Sequence, residues 1–301
     1  MRGRVLRVSG LQHLVEVDGR PWQCEIRGRL KEGARRTTSP VIVGDWVEVE
    51  PTGAATGVIA QVHPRLSRFS RGASGLRPYE QVIAVNLDQL VVVAAIRQPA
   101  LRPGFIDRAV VMALRGGLVP VVCINKVDLD ETGEAECVAA AYGRLGYQAI
   151  ITSARTGQGV DLLRQHLERQ VSAVVGQSGV GKSSLLNQVE PGLSIKTQSL
   201  MRQHDRGRHT TAAVHLYRLR AGGYVADTPG IKELRLWGVA PCELVTHFAE
   251  MAPLADHCAF RNCSHVHEPG CAVRAAVGRG DVSALRYQGY CRIMESLELR
   301  P

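Results

Sequence analysis

The sequence predicts three folded parts in series: an N-terminal β-barrel of the oligonucleotide-binding (OB) type, a parallel α/β domain, and a helical C-terminal domain carrying a cysteine cluster. Three observations carry this division. Short, alternating strands punctuated by glycine fill residues 1–65. The hydrophobic period changes at Leu87, after which unbroken apolar strands alternate with helical segments. Three of the eight cysteines fall within the fourteen residues 258–271. A chain of 301 residues has room for more than one core.

Composition narrows the function classes. Hydrophobic residues make up 45% and charged residues 22%, which excludes wholesale disorder. The longest apolar run, Leu90–Ile96, has seven residues, whereas a membrane helix needs about 20. The opening MRGRVLRVSG lacks an apolar secretory stretch, so a cytoplasmic chain without a membrane partner is expected. In a reducing compartment, clustered cysteines hold metal more often than disulfides. The net charge of +9 fits a polyanionic partner without identifying one.

Five strands are expected in the first part: Arg4–Val8, Leu14–Val17, Trp22–Ile26, Trp46–Glu50 and Gly57–Val62. Residues 1–70 hold eleven basic and seven acidic side chains, and Arg27–Arg36 is either a phosphate track or a solvated loop. Residues 66–80, LSRFSRGASGLRPYE, read as a linker. In residues 81–238, strands are expected at 90–96, 120–124, 149–151 and 171–175. Helices are expected at 105–114, 134–145 and 160–167. Strands this apolar belong to a parallel sheet covered on both faces. Val214–Leu219 and Tyr224–Ala226 flank Gly222-Gly223 as a hairpin extending that sheet. In residues 239–301, a terminal helix is expected after an Asp281 cap, with Val282, Leu285, Tyr290, Ile293 and Leu297 on one face.

GQSGVGKS at 176–183 fits G-x-x-x-x-G-K-[ST] and lies between an apolar strand and the helical SSLLNQV. The backbone amides of Gly176, Gln177, Ser178, Gly179, Val180, Gly181, Lys182, Ser183 and Ser184 can wrap a phosphate chain at a helix N-terminus. Lys182 can reach the β- and γ-phosphates, and Ser183 can ligate Mg²⁺. DTPG at 227–230 closes the next strand, so Asp227 is placed to hold Mg²⁺ and the Gly230 amide to meet the γ-phosphate. Between them runs Lys196–Ala213, charged and aperiodic, a loop expected to order on nucleotide. Thr210 or Thr211 could complete the Mg²⁺ shell.

Asn125-Lys126-Val127-Asp128 follows a strand and selects guanine. The Asp128 carboxylate accepts from guanine N1–H and the exocyclic amine, whereas adenine N1 would face it unpaired. Asn125 can bond N7 and brace the loop, and the Lys126 stem can stack on the base. At Thr152-Ser153-Ala154 another strand ends, and the Ala154 amide can meet O6. Ligands bind at the C-terminal ends of such strands.

These motifs depart from the usual order, in which the phosphate loop comes first: here the guanine elements (125–128, 153–154) precede the phosphate loop, Thr210-Thr211 and DTPG. A cut and rejoined chain builds the same sheet, so this is a circularly permuted P-loop GTPase domain. The chain leaves it just after DTPG, from which nucleotide state is expected to move the C-terminal domain.

Permuted order, barrel and cysteine cluster together resemble the ribosome small-subunit-dependent GTPase A (RsgA) family over nearly the whole chain. The resemblance is carried by PVIVGDWVEVE (40–50), QVIAVNLDQLVVVAA (81–95), GQSGVGKSSLLN (176–187), GRHTT (207–211), DTPGIKEL (227–234), CAFRNCSHVHEPGCAV (258–273) and RYQGYC (286–291). Ala212 departs from a third threonine common in relatives, which leaves open whether Thr210 or Thr211 meets the metal.

The cluster has the spacing C-x4-C-x-H-x5-C. Cys258, Cys263, His265 and Cys271 suit one closed, structural Zn²⁺ per chain. His257 and His267 compete for the fourth place, and the family's C-x-H pattern favours His265. Ile231 follows the DTPG glycine and cannot orient water; the resemblance suggests His209 instead. It further implies a GTP hydrolase cycling between GTP and GDP on the 30S ribosomal subunit and its 16S rRNA, in late small-subunit maturation. A monomer is the default expectation. The rival classes are a kinase or ATPase, which Asp128 opposes, an RNA-binding metallochaperone-type or regulatory GTPase acting elsewhere, and a non-catalytic RNA-binding module, which an intact Lys182, Ser183 and Asp227 disfavour.

Overall fold

The computed structural model describes residues 1–28, 39–73, 79–193, 214–228 and 234–298. Five strands form the N-terminal part: β1 (Arg2–Ser9), β2 (Gln12–Val17), β3 (Arg20–Ile26), β4 (Trp46–Gly53) and β5 (Thr56–Val62). They run in the order β1-β2-β3-β5-β4, and β4 returns to pair with β1, closing the barrel. Alternation fills its core with Val5, Val15, Val17, Val47, Val49 and Ile59.

β6 (Arg68–Gly72) pairs antiparallel with β7 (Glu80–Val85). The segment read as a linker therefore carries a strand. Its Phe69 is fully buried, an anchor that the surrounding Arg, Ser and Gly residues disguise. A barrel loop seals against this hairpin: a Cβ on Gly44 would lie 2.0 Å from the Val85 carbonyl, so only glycine fits there.

The central sheet contains β8 (Gln89–Ala95), β9 (Val119–Asn125), β10 (Gln148–Ile151), β11 (Val171–Val175), β12 (His215–Arg218) and β13 (Tyr224–Asp227), in the order β10-β9-β8-β11-β13-β12. All neighbours are parallel except the hairpin β12–β13. Leu90, Val92 and Ala94 enter one core, while Val91, Val93 and Ala95 enter the other, which is why the strand reads as continuously apolar. Helices α1 (Pro103–Arg115) and α2 (Glu134–Gly143) contribute to the first core, α3 (Val160–Leu167) and α4 (Lys182–Val189) to the second.

The hairpin does not end the sheet. β12 pairs antiparallel with β1, Arg7 opposite His215, so barrel and α/β domain share one eleven-stranded ladder. Glu16 of β2 grips both hairpin strands, accepting from Arg218 Nη1 at 2.8 Å and from the Tyr224 hydroxyl.

The C-terminal part has a 3₁₀ segment Pro241–His247 and helices α5 (Ala252–Ala255), α6 (Ala272–Arg279) and α7 (Ala284–Glu298). Two expectations are corrected. Asp281 does not cap α7, which starts at Ala284; its carboxylate pairs with Arg279 at 2.8 Å. Leu285 is 50% exposed, whereas Val282, Tyr290, Ile293 and Leu297 are buried with Met294. α7 docks on α1 around a buried ion pair, Arg286 with Asp107. Glu250 holds the other side of the guanidinium at 2.8 Å, and Tyr142 donates to Asp107 at 2.8 Å. Gly289 allows that approach: a Cβ there would lie 2.1 Å from Asp107 Oδ2. No helix among the described residues is long and apolar enough to cross a membrane.

Candidate nucleotide site and metal centre

β11 ends at Val175 and the chain turns through the glycine-rich loop into α4. Gly181 adopts φ +96° and faces Asn125, where a Cβ would lie 2.4 Å from Nδ2. Gly176 passes close to β8, where a Cβ would lie 2.3 Å from the Val93 carbonyl. Val180 is buried in the core under α4 and anchors the loop. Ser178, Gly179 and Ser184 are exposed, and Gln177 and Ser183 half-buried, leaving one side of the loop open to a ligand.

Lys182 folds back on its own loop, donating to the carbonyls of Gly176 at 2.7 Å and Gln177 at 3.1 Å. Burial lowers its pKa, and Asp227 opposes this in part. Asp227 ends β13, directly beside β11 in register with Val174. Burial raises its pKa against the pull of Lys182. Its Oδ1 is buried and has no hydrogen-bond partner among the described residues. A buried, unpaired carboxylate oxygen next to the phosphate loop suits a cation, so the position fits Mg²⁺. The neighbouring Thr228 hydroxyl donates to the Val174 carbonyl at 2.7 Å, fixing the strand end. His209, Thr210, Thr211 and Gly230 lie outside the described residues, as does the loop expected to order on nucleotide.

The base-side motifs converge on the same edge. Asn125 ends β9 and is fully buried. Its Nδ2 donates to the Val180 carbonyl at 2.8 Å, and its Oδ1 accepts from the Thr152 hydroxyl and the Ala154 amide, both at 3.2 Å. Asn125 therefore braces, joining three loops. Lys126 takes the left-handed conformation, φ 63°, and its ammonium donates to the Gln98 carbonyl. Asp128 sits on the 3₁₀ turn Val127–Leu129. Its Oδ1 accepts from Ser153 Oγ at 2.5 Å, and Arg155 Nε stands 3.4 Å from Oδ2. Gln98 and Arg155 were not singled out from the sequence, and Thr152 was named only as part of the strand-ending Thr152-Ser153-Ala154, with no role of its own.

In the C-terminal part, one atom each from Cys258, Cys263, His265 and Cys271 lies within 4.8 Å of all the others. His265 Nδ1 is 3.4 Å from Cys258 Sγ and 3.5 Å from Cys271 Sγ, and the two sulfurs are 3.9 Å apart. A tetrahedral zinc with bonds of 2.0–2.3 Å spaces its ligands by roughly 3.3–3.8 Å, so this cluster could bind zinc. His257 and His267 are exposed and outside it. Tyr287 and Tyr290 of α7 donate to the carbonyls of His265 and Ser264, both at 2.8 Å, and clamp the ligand loop.

Comparison with known proteins agrees with this geometry. Residues 62–237 match the family model described as RsgA GTPase, and residues 2–59 the RsgA N-terminal domain. The small ribosomal subunit biogenesis GTPase RsgA of Gemmatimonas aurantiaca is 39% identical over 96% of this chain and 94% of its own. That of Moorella thermoacetica is 38% identical over 100% and 98%. The crystal structure of YjeQ from Thermotoga maritima superposes with a TM-score of 0.80 at 32% identity, covering 100% of this chain and 99% of its own. YloQ, described as a circularly permuted GTPase, gives 0.75 at 27% identity, covering 100% and 96%. The two family models together cover nearly all of residues 2–237 and the curated relatives align over nearly the full length, so the chain belongs to the RsgA GTPase family.

Proposed function

We propose that this chain is a GTP hydrolase that docks on the 30S ribosomal subunit and its 16S rRNA late in small-subunit maturation, and that docking accelerates its turnover. The observation that carries the reading is the Asn125 bridge: it makes the base-selecting loop and the phosphate loop one unit despite their permuted order. The relatives named for small-subunit biogenesis support the partner. A chain with this role works as a monomer in the cytoplasm.

Asp128, oriented by Ser153, accepts from the two donors on the guanine edge. The Lys126 stem covers the base, and the Ala154 amide lies on the O6 side. Amides of residues 176–184 wrap the phosphates. Lys182 exchanges two neutral carbonyl acceptors for phosphoryl oxygens, a stronger, charge-assisted interaction. Ser183, Asp227 and one of Thr210 and Thr211 would hold Mg²⁺, which neutralises charge on the β- and γ-phosphates. The Gly230 amide meets the γ-phosphate, and His209 orients the attacking water. Cys258, Cys263, His265 and Cys271 hold a structural zinc.

Turnover of GTP and ATP, each with and without 30S particles, tests the reading. GTP alone should be hydrolysed, and much faster with particles. Equal ATP turnover, or no response to 30S, overturns it. Full stimulated turnover in His209→Ala removes that residue from the water-orienting role.

A further inference from the structure

Among the four residues of the Cys₃His cluster, His265 alone has a left-handed backbone, φ 61°. A non-glycine residue stays in that region only where its surroundings hold it there. The conformation accompanies a ring whose Nδ1 faces the sulfurs of Cys258 and Cys271, at 3.4 and 3.5 Å.

Two sets of hydrogen bonds fix this stretch of backbone. Tyr287 and Tyr290 of α7 take the carbonyls of His265 and Ser264. The flanking amides go to a single carboxylate. Glu268 Oε1 accepts from the Ser264 N–H at 2.7 Å, and Oε2 accepts from the His267 N–H at 3.3 Å. One side chain thus straddles His265. Its own backbone is tied down in turn, because Arg274 Nη1 donates to the Glu268 carbonyl at 3.0 Å. The Arg274 amide meanwhile donates to Cys271 Sγ at 3.5 Å, so α6 holds both Glu268 and a ligand. Glu268 is not one of the clustered donors; both its oxygens are engaged by amides.

Hydrogen bonds from backbone amides to an ionised carboxylate are stronger than neutral ones. Residues that orient metal ligands without touching the ion are worth about tenfold to 100-fold in metal affinity. The three cysteines have negative φ and need no such restraint.

We propose that Glu268 is a positioning residue for the metal centre: by gripping the amides of Ser264 and His267, it keeps the His265 backbone left-handed and its Nδ1 presented to the ion. The inference rests on the reading of Cys258, Cys263, His265 and Cys271 as a zinc site. Loss of the carboxylate should free the imidazole before the thiolates.

The test uses the full chain, with zinc and cobalt as probes. In competition with a chromophoric chelator, Glu268→Ala should bind zinc about tenfold to 100-fold more weakly. Glu268→Gln keeps one amide oxygen as an acceptor and should fall between Glu268→Ala and wild type. Cobalt supplies a signature that general loosening would not give. Cobalt-loaded Glu268→Ala should keep its thiolate-to-metal charge-transfer absorption, while its d–d bands move toward those of His265→Ala. Wild-type zinc affinity or unshifted d–d bands in Glu268→Ala overturns the proposal. So does a loss of both absorptions in step, which would mean that the whole ligand loop comes apart. A wild-type chain that binds neither metal instead brings down the zinc reading beneath it.

Discussion

Asn125 and Val180, fifty-five residues apart, are joined by a 2.8 Å hydrogen bond from a side-chain amide to a phosphate-loop carbonyl. The same side chain holds Thr152 and Ala154 through its oxygen. Asn125→Ala leaves the Val180 carbonyl without this partner in a buried setting, a loss of about 1–3 kcal/mol. Denaturant midpoints should fall accordingly, and a fluorescent GDP analogue should bind at least about tenfold more weakly, since about 1.4 kcal/mol is a factor of ten. Unchanged affinity would show that the three loops hold their positions without it.

Asp128→Asn replaces one acceptor with an amide donor. Guanine then loses a partner for its two donors, while xanthine, with a carbonyl at C2, gains one. GTP turnover should drop by about 100-fold or more, and xanthosine triphosphate should become the better substrate. Steady-state rates with the two nucleotides decide this, and an unchanged preference for GTP contradicts the assignment.

Arg286 is the partner of a carboxylate buried completely at Asp107. Arg286→Met strands that charge and should cost about 3–5 kcal/mol in unfolding free energy. Asp107→Leu/Arg286→Met should recover part of it, because the Asp107 charge is gone while the Glu250 carboxylate still lacks the guanidinium. Melting curves of the single and double variants make the comparison. A double variant no better than the single would mean that packing, not charge, dominates.

His13 is fully buried in β2, and burial lowers its pKa against the opposing pull of the Leu11 and Cys24 backbone. The unfolded chain, whose imidazole titrates near about 6.5, then binds protons more readily than the folded one. Stability is retained above that pH and is lost as pH falls toward the lowered folded value, at up to about 1.4 kcal/mol per pH unit. His13→Leu should flatten this acid dependence between pH 7.5 and 5.5. Parallel stability–pH curves for the two proteins would assign the acid sensitivity to other groups.

Cys271 belongs to the Cys₃His cluster that could bind zinc, and its sulfur accepts from the Arg274 amide at the start of α6. Cys271→Ser should release the zinc, from one per chain to none by elemental analysis, and make the C-terminal part protease-sensitive. Chelation of the wild type should have the same effect. A wild-type chain purified without chelator and free of zinc refutes the centre.

The two loops of the proposed nucleotide site were legible as loops because their pattern is local: GQSGVGKS and NKVD each lie between an apolar strand and a helix or turn. The barrel strands showed through alternation and glycine turns. Hidden features depended on partners distant in sequence. Phe69 is flanked by Arg68, Ser70 and Arg71, so its burial in the β6–β7 hairpin left no local pattern. Asp107 lies inside a helix expected from its spacing alone, and its need for Arg286 spans 179 residues. Asp281 has the chemistry of a helix cap, but the helix begins three residues later and Arg279 takes its carboxylate.

The pairing of β1 with β12 gives the molecule a mechanical character. His215 lies four positions beyond Thr211, and Glu16 clasps the far end of the same hairpin. A load borne by the barrel is thereby delivered to β12 and, through its ladder with β13, to the strand that ends at Asp227. Whatever seats itself on the barrel pulls on the nucleotide's own scaffold, as a handle turns the shaft to which it is welded.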